Sequence, residues 1–69
     1  MYKIGDLVWI PKKKACGVIL SWEVSDNNLM IFQIQYEKNN KTFMKYFPKG
    51  EFKLLKENEN KTKELKSYD

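Results

Sequence analysis

Histidine and arginine are absent, so the residues weighed for chemistry are one thiol, nine carboxylates, thirteen lysines and the aromatic rings. Cys16 has no second cysteine to pair with, so no internal disulfide forms and no Cys/His ligand set can be assembled. A reactive thiol needs a base or a positive field beside it. Lys14 is the only hint of one, and Cys16 is expected to be a small buried hydrophobe. The acids Asp6, Glu23, Asp26, Glu37 and Glu51 fall mostly at turns or strand ends. General acid–base work needs two carboxyls converging in a cleft with pKa values pushed apart, and nothing in their spacing points to that. Asp6, directly after Gly5, reads as a turn residue that hydrogen-bonds nearby backbone. The expectation is no catalytic residue, no metal, no cofactor and no small-molecule substrate.

The lysines and the aromatics are the remaining candidates. Lys12, Lys13 and Lys14 form a charged loop, and Lys3, Lys45, Lys49 and Lys53 are the other members of any basic face. Lysines beside an exposed Trp9 are what a barrel uses to follow a single nucleic-acid strand by charge and stacking. A solubilising loop is the plainer reading of the same residues. The lack of arginine argues against reading of base sequence, since bidentate contacts to phosphate and guanine favour the guanidinium. Aromatics make up 14% of the residues, more than one small interior can hold. Outward Trp and Tyr anchor protein interfaces more often than other residues do. Leu7, Trp9, Trp22 and Tyr36 are therefore the candidate interface.

Strands must position these side chains. Leu7 to Ile10 is rich in β-branched and aromatic residues, and Pro11 ends it. Val8 and Ile10 are the natural inward pair, which leaves Leu7 and Trp9 facing out. Cys16 to Val24 reads as a longer strand; if it is regular, Val18, Leu20 and Trp22 share a face opposite Ile19. Asp26-Asn27-Asn28 signals a turn. Leu29 to Tyr36 is a third strand in which Met30, Phe32, Ile34 and Tyr36 alternate with Ile31, Gln33 and Gln35, and from residue 32 on the split into apolar inside and glutamine outside is the clearest period-2 signal. An Asn39-Asn40 turn leads to Thr42–Phe47. Pro48 to Glu51 suits one 3₁₀-like turn, and Phe52 to Leu55 closes as a fifth strand. Tyr2 to Ile4 is a lead-in that pairs with a late strand or remains free.

With 69 residues the chain holds one domain. A domain of this size buries only about 60% of the surface its unfolded chain exposes, so its margin is thin. The formal charge of +4 is uneven: residues 1–55 hold nine lysines against five acids, and residues 56–69 hold four of each. Residues 56–69 form a charged tail, frayed or docked as a short helix through Leu65 and Tyr68. No apolar run approaches a membrane span and no leader pattern opens the chain. The expected setting is cytoplasmic, or within a particle assembled inside the cell, with no membrane partner.

Lys3-Ile4-Gly5-Asp6-Leu7-Val8, Gly17-Val18-Ile19, Ile34-Gln35-Tyr36 and Phe47-Pro48-Lys49-Gly50-Glu51-Phe52-Lys53-Leu54-Leu55 together resemble the SH3-like barrel superfamily, in its Tudor/KOW-type branch. The resemblance spans residues 3–55. It implies an all-β fold, a small five-stranded antiparallel SH3-like barrel, and a compact interaction module without catalysis. Tudor domains that read methylated side chains hold the cation in an aromatic cage. Tyr36 matches one cage position, Asn39 or Asn40 stands where a second aromatic would be, and Trp9 sits near the first cage position but is offset from it, so no full cage is implied. The expected function is docking onto a protein partner or self-association, as in a structural or accessory subunit of a larger, for instance phage, assembly. The alternative is a nucleic-acid-binding barrel using Lys12, Lys13, Lys14 and Trp9.

Overall fold

In the computed structural model, residues 2–57 are described. They form strands β1 (Leu7–Ile10), β2 (Ala15–Val24), β3 (Met30–Lys38) and β4 (Lys41–Pro48), a 3₁₀ turn (Lys49–Glu51) and strand β5 (Lys53–Lys56). The five strands make one antiparallel sheet in the order β4-β3-β2-β1-β5. No ladder joins β4 to β5 among the described residues, so the sheet is open rather than a hydrogen-bonded closed barrel. No α-helix occurs among them. β5 takes Lys56 from the expected tail, and the helix-or-frayed expectation for that tail lies, from residue 58 on, outside the described residues.

Alternation along the strands sorts side chains onto two faces. Val8 and Ile10 on β1, Ile19 on β2, Phe32, Ile34 and Tyr36 on β3, and Phe47 on β4 are buried on the inner face. Leu7 and Trp9 are half-buried on the outer one. Gly17 also sits on the inner face, where β2 and β3 approach closely. A Cβ there would lie 2.5 Å from Ile34 Cγ2 and 2.9 Å from the Gln35 carbonyl oxygen.

Ends of the sheet are fixed by turn chemistry. Lys13 and Lys14 donate backbone N–H to the carbonyls of Ile10 and Pro11, and Lys14 takes a left-handed φ of 52° to re-enter β2 at Ala15. Asn39 and Asn40 both have positive φ, 55° and 65°. That is the geometry a two-residue type I′ hairpin requires and asparagine tolerates. Asn28 is left-handed in the β2–β3 turn, and its N–H donates to the Ser25 carbonyl.

β2 is not regular. Ile19 pairs with Ile34 and Ser21 with Gln33, so two steps on β2 match one on β3 and Leu20 is the extra residue of a β-bulge. A bulge shifts the parity of everything after it. Val18 faces out, paired with Leu7 and Gln35, whereas Trp22 pairs with Phe32 on the inner face. The expected grouping of Trp22 with Val18 is thus replaced by its opposite.

The open sheet is covered by its own chain ends. After the 3₁₀ turn, Phe52 lies under the sheet with its ring centroid 5.3 Å from that of Phe32. Tyr2 completes the cluster, 4.8 Å from Phe52 and 5.6 Å from Phe32. The lead-in therefore contributes an aromatic lid. Its neighbour Lys3 forms an exposed ion pair with Glu57 at 3.2 Å, of a kind worth about 0–1 kcal/mol.

Candidate interaction surfaces

Four residues were expected to make one interface, and the structure distributes them over three environments. Leu7 and Trp9 lie on the outer face of β1. Trp9 stands between Cys16 on β2 and Lys53 on β5, and Leu7 between Val18 and Lys56. Trp22 is 51% exposed on the inner face, at the far end of β2. Tyr36 is only 4% exposed and is core, which corrects its placement as an outward anchor. Its ring stacks on Phe43 at 5.3 Å and meets Phe47 edge-on at 5.9 Å. The period-2 pattern that makes β3 so legible is what turns Tyr36 inward. The same burial withholds its ring face from a bound cation.

Trp22 belongs to a patch that sequence spacing did not assemble. Past the bulge, Val24 pairs with Met30 on the same face as the Trp22–Phe32 pair. Val24 and Met30 are exposed, and Leu29 beside them is 56% exposed. Phe32 is fully buried one pair further in, so the core-facing side of the hairpin runs apolar from the interior out past the end of the cover. An adjoining groove of about 230 Å³ is lined by Tyr2, Met30, Phe32 and Lys49. Met30 shares the face of buried Phe32 but is itself exposed. It falls outside because nothing among the described residues covers that end.

The opposite end of the sheet is basic. Lys38, at the end of β3, donates from Nζ to the carbonyl oxygen of Lys13 at 2.8 Å. That bond ties the β3–β4 hairpin to the β1–β2 loop and brings Lys38 and Lys41 beside Lys12, Lys13 and Lys14. Neither Lys38 nor Lys41 was among the candidates, since their place depends on two hairpins meeting. Lys45, by contrast, lies on the inner face of edge strand β4, with Nζ 5.8 Å from the centre of the Phe43 ring. An inward charge on an edge strand discourages further pairing.

Cys16 is exposed on the outer face, contrary to its expected burial. It helps line a shallow hollow of about 270 Å³ with Leu7, Val18, Gln35 and Glu37. Asp6 is fully buried and accepts the Lys3 backbone N–H at 2.8 Å on Oδ2, the turn role expected of it. No cluster of three or more Cys, Asp or Glu with metal-holding geometry occurs among the described residues. No helix among them is long and apolar enough to cross a membrane. Compared with known proteins, the chain matches no family model, no curated protein and no solved structure.

Proposed function

We propose that this chain is a small SH3-like barrel of the Tudor/KOW type, acting as a non-enzymatic module that docks onto a protein partner through the inner face of its β2–β3 hairpin. Support for the fold reading comes from the strand order, the Gly5-Asp6 opening, and the single 3₁₀ turn leading to a leucine-bearing last strand. The functional reading rests on one observation: Trp22, Val24 and Met30 form an apolar surface continuous with the core that nothing among the described residues covers. Contiguous apolar surface of this kind marks interaction sites in soluble domains.

The chemistry of the rim narrows the partner. Glu23 lies at this end of β2 and Asp26 in its turn, which disfavours an anionic lipid surface. Lys49 borders the groove and suits a protein segment that carries an acid beside an aliphatic or aromatic anchor. Such a module fits a structural or accessory subunit of a larger assembly. The groove and patch are small, so most of the affinity falls on the indole.

Matched capture experiments test this. Wild type and Trp22→Ser are immobilised and exposed to the same lysate, with Tyr46→Ser as a control at another exposed aromatic. A protein held by wild type and by Tyr46→Ser but lost with Trp22→Ser supports the reading. Equal retention by all three overturns it, as does global unfolding of Trp22→Ser in circular dichroism. Light scattering on the purified chain then separates a different protein from a second copy as the occupant.

A further inference from the structure

Alongside the second half of β2, we infer a strand-addition site: the backbone edge from Ser21 to Val24 takes up an extended protein segment that carries a basic residue between two aliphatic ones. This deepens the reading of the β2–β3 hairpin as a docking surface and rests on it. What it adds is the conformation and the charge of the segment that docks.

The edge follows from the registers. β1 pairs with β2 no further than Val18. The lead-in adds two bonds at the next residue, from Gly5 N–H to the Ile19 carbonyl at 2.8 Å and from Ile19 N–H to the Asp6 carbonyl at 3.1 Å. No described residue continues that ladder, whereas β3 accompanies β2 as far as Val24. Among the described residues, the end of β2 is therefore bonded on one side alone. The turn decides which groups are left over. Ser25 N–H donates to the Leu29 carbonyl at 2.8 Å, so this pair directs its backbone groups across the hairpin. Bonded and non-bonded pairs alternate along an antiparallel ladder. Glu23, opposite Ile31, thus also faces β3, while Trp22 and Val24, opposite Phe32 and Met30, present N–H and C=O to the open side. Those groups recur roughly every 7 Å, the two-residue repeat at which an extended segment offers its own.

The other edges are guarded, and this one is not. β4 carries Lys41 and Lys45 and ends at Pro48, and β5 carries Lys53 and Lys56. Lysine, proline and inward charge are the means by which sheets prevent further pairing. Ser21-Trp22-Glu23-Val24 has no lysine, no proline and no inward charge. Its inner-face side chains are Trp22 and Val24, 51% and 55% exposed.

Glu23 selects the partner. It is exposed on the outer face and makes no ion pair among the described residues. An added strand sets one residue directly across from Glu23 and its two neighbours beside Trp22 and Val24. Opposite charges across a sheet stabilise and like charges destabilise, so the middle residue is basic and the flanking ones aliphatic. Lys49 borders the patch from its other flank, beyond Met30. The acid that suits Lys49 therefore belongs to a different position of the same partner.

The probe is a heptapeptide of alternating valine and lysine, titrated into the full chain and followed through its amide signals by NMR. In the free chain the Trp22 and Val24 amides exchange quickly and the Glu23 amide slowly. With peptide, the first two shift and become protected. Glutamate in place of the peptide's lysines weakens binding, and Glu23→Lys reverses that preference. The peptide is also made N-methylated at its valines or at its lysines. One version loses about tenfold in affinity and the other little, because only one set of amides faces β2. Equal affinity of the two methylated peptides overturns the inference, as does an absence of shifts at Trp22 and Val24 with millimolar peptide. Protection of both amides in the free chain overturns it too, whether it persists on dilution, as cover from the same chain would, or fades, as a second copy would. If the peptide fails while Trp22→Ser still loses its captured protein, strand addition is wrong and the docking surface stands. Retention of that protein by Trp22→Ser sinks the docking surface itself.

Discussion

At the scale of single residues, the sheet depends on what Gly17 lacks. β2 crosses its neighbour so closely that a methyl group at residue 17 meets Ile34 Cγ2 at 2.5 Å and the Gln35 carbonyl at 2.9 Å. The side-chain atom can move, but the carbonyl is part of the β2–β3 ladder and has little freedom. Gly17→Ala is therefore expected to cost about 1–3 kcal/mol, the range for overpacking a filled interior. That cost far exceeds the small gain from stiffening the unfolded chain, and a denaturant melt reads it directly. A stability unchanged to within the fit would mean that β2 and β3 are further apart than described. Cys16 beside it teaches the opposite lesson. Its residue type predicts burial, but its parity, one step from Gly17, puts it outside, because strand alternation decides the face before hydrophobicity does.

Among elements, legibility tracked how far a feature depends on its own neighbours in the chain. The β1 limits, the period of β3, the asparagine turn and the 3₁₀ turn were all readable, since each is specified by a few adjacent residues. The face of Trp22 was not readable, because Ile19-Leu20-Ser21-Trp22 scans equally well as a regular strand. Only pairing against β3 reveals Leu20 as the inserted residue. The uncovered hairpin end and the meeting of Lys38 with Lys13 were hidden for a related reason: both join segments well separated in sequence. Phe52 depends on such a junction too. It follows the 3₁₀ turn and wedges between Tyr2 and Phe32, where it covers a sheet that no ladder among the described residues closes. Phe52→Ala should cost about 3–5 kcal/mol, a large part of the roughly 5–15 kcal/mol that holds a domain together. Tyr46→Ala, at an exposed site on β4, should cost well under about 1 kcal/mol. Comparable melts for the two variants would remove Phe52 from the core.

For the whole molecule, the antiparallel registers set an apolar end against a basic one. The β2–β3 turn carries Trp22, Val24, Leu29 and Met30, with Glu23 and Asp26 as its charges, while the β1–β2 loop and β3–β4 turn carry the lysines. Phe32, Ile34 and Tyr36 separate them along β3, all buried. Sites with no shared partners behave additively to within about 0.3–0.5 kcal/mol, so the two surfaces should be separable by substitution. Trp22→Ser is expected to abolish capture of a protein partner, whereas Lys12→Glu with Lys41→Glu at the other end should leave that capture intact. The combined variant should melt near the sum of its parts. If instead the lysine substitutions also release the protein partner, that partner spans both ends, and the division of the sheet into two independent surfaces fails.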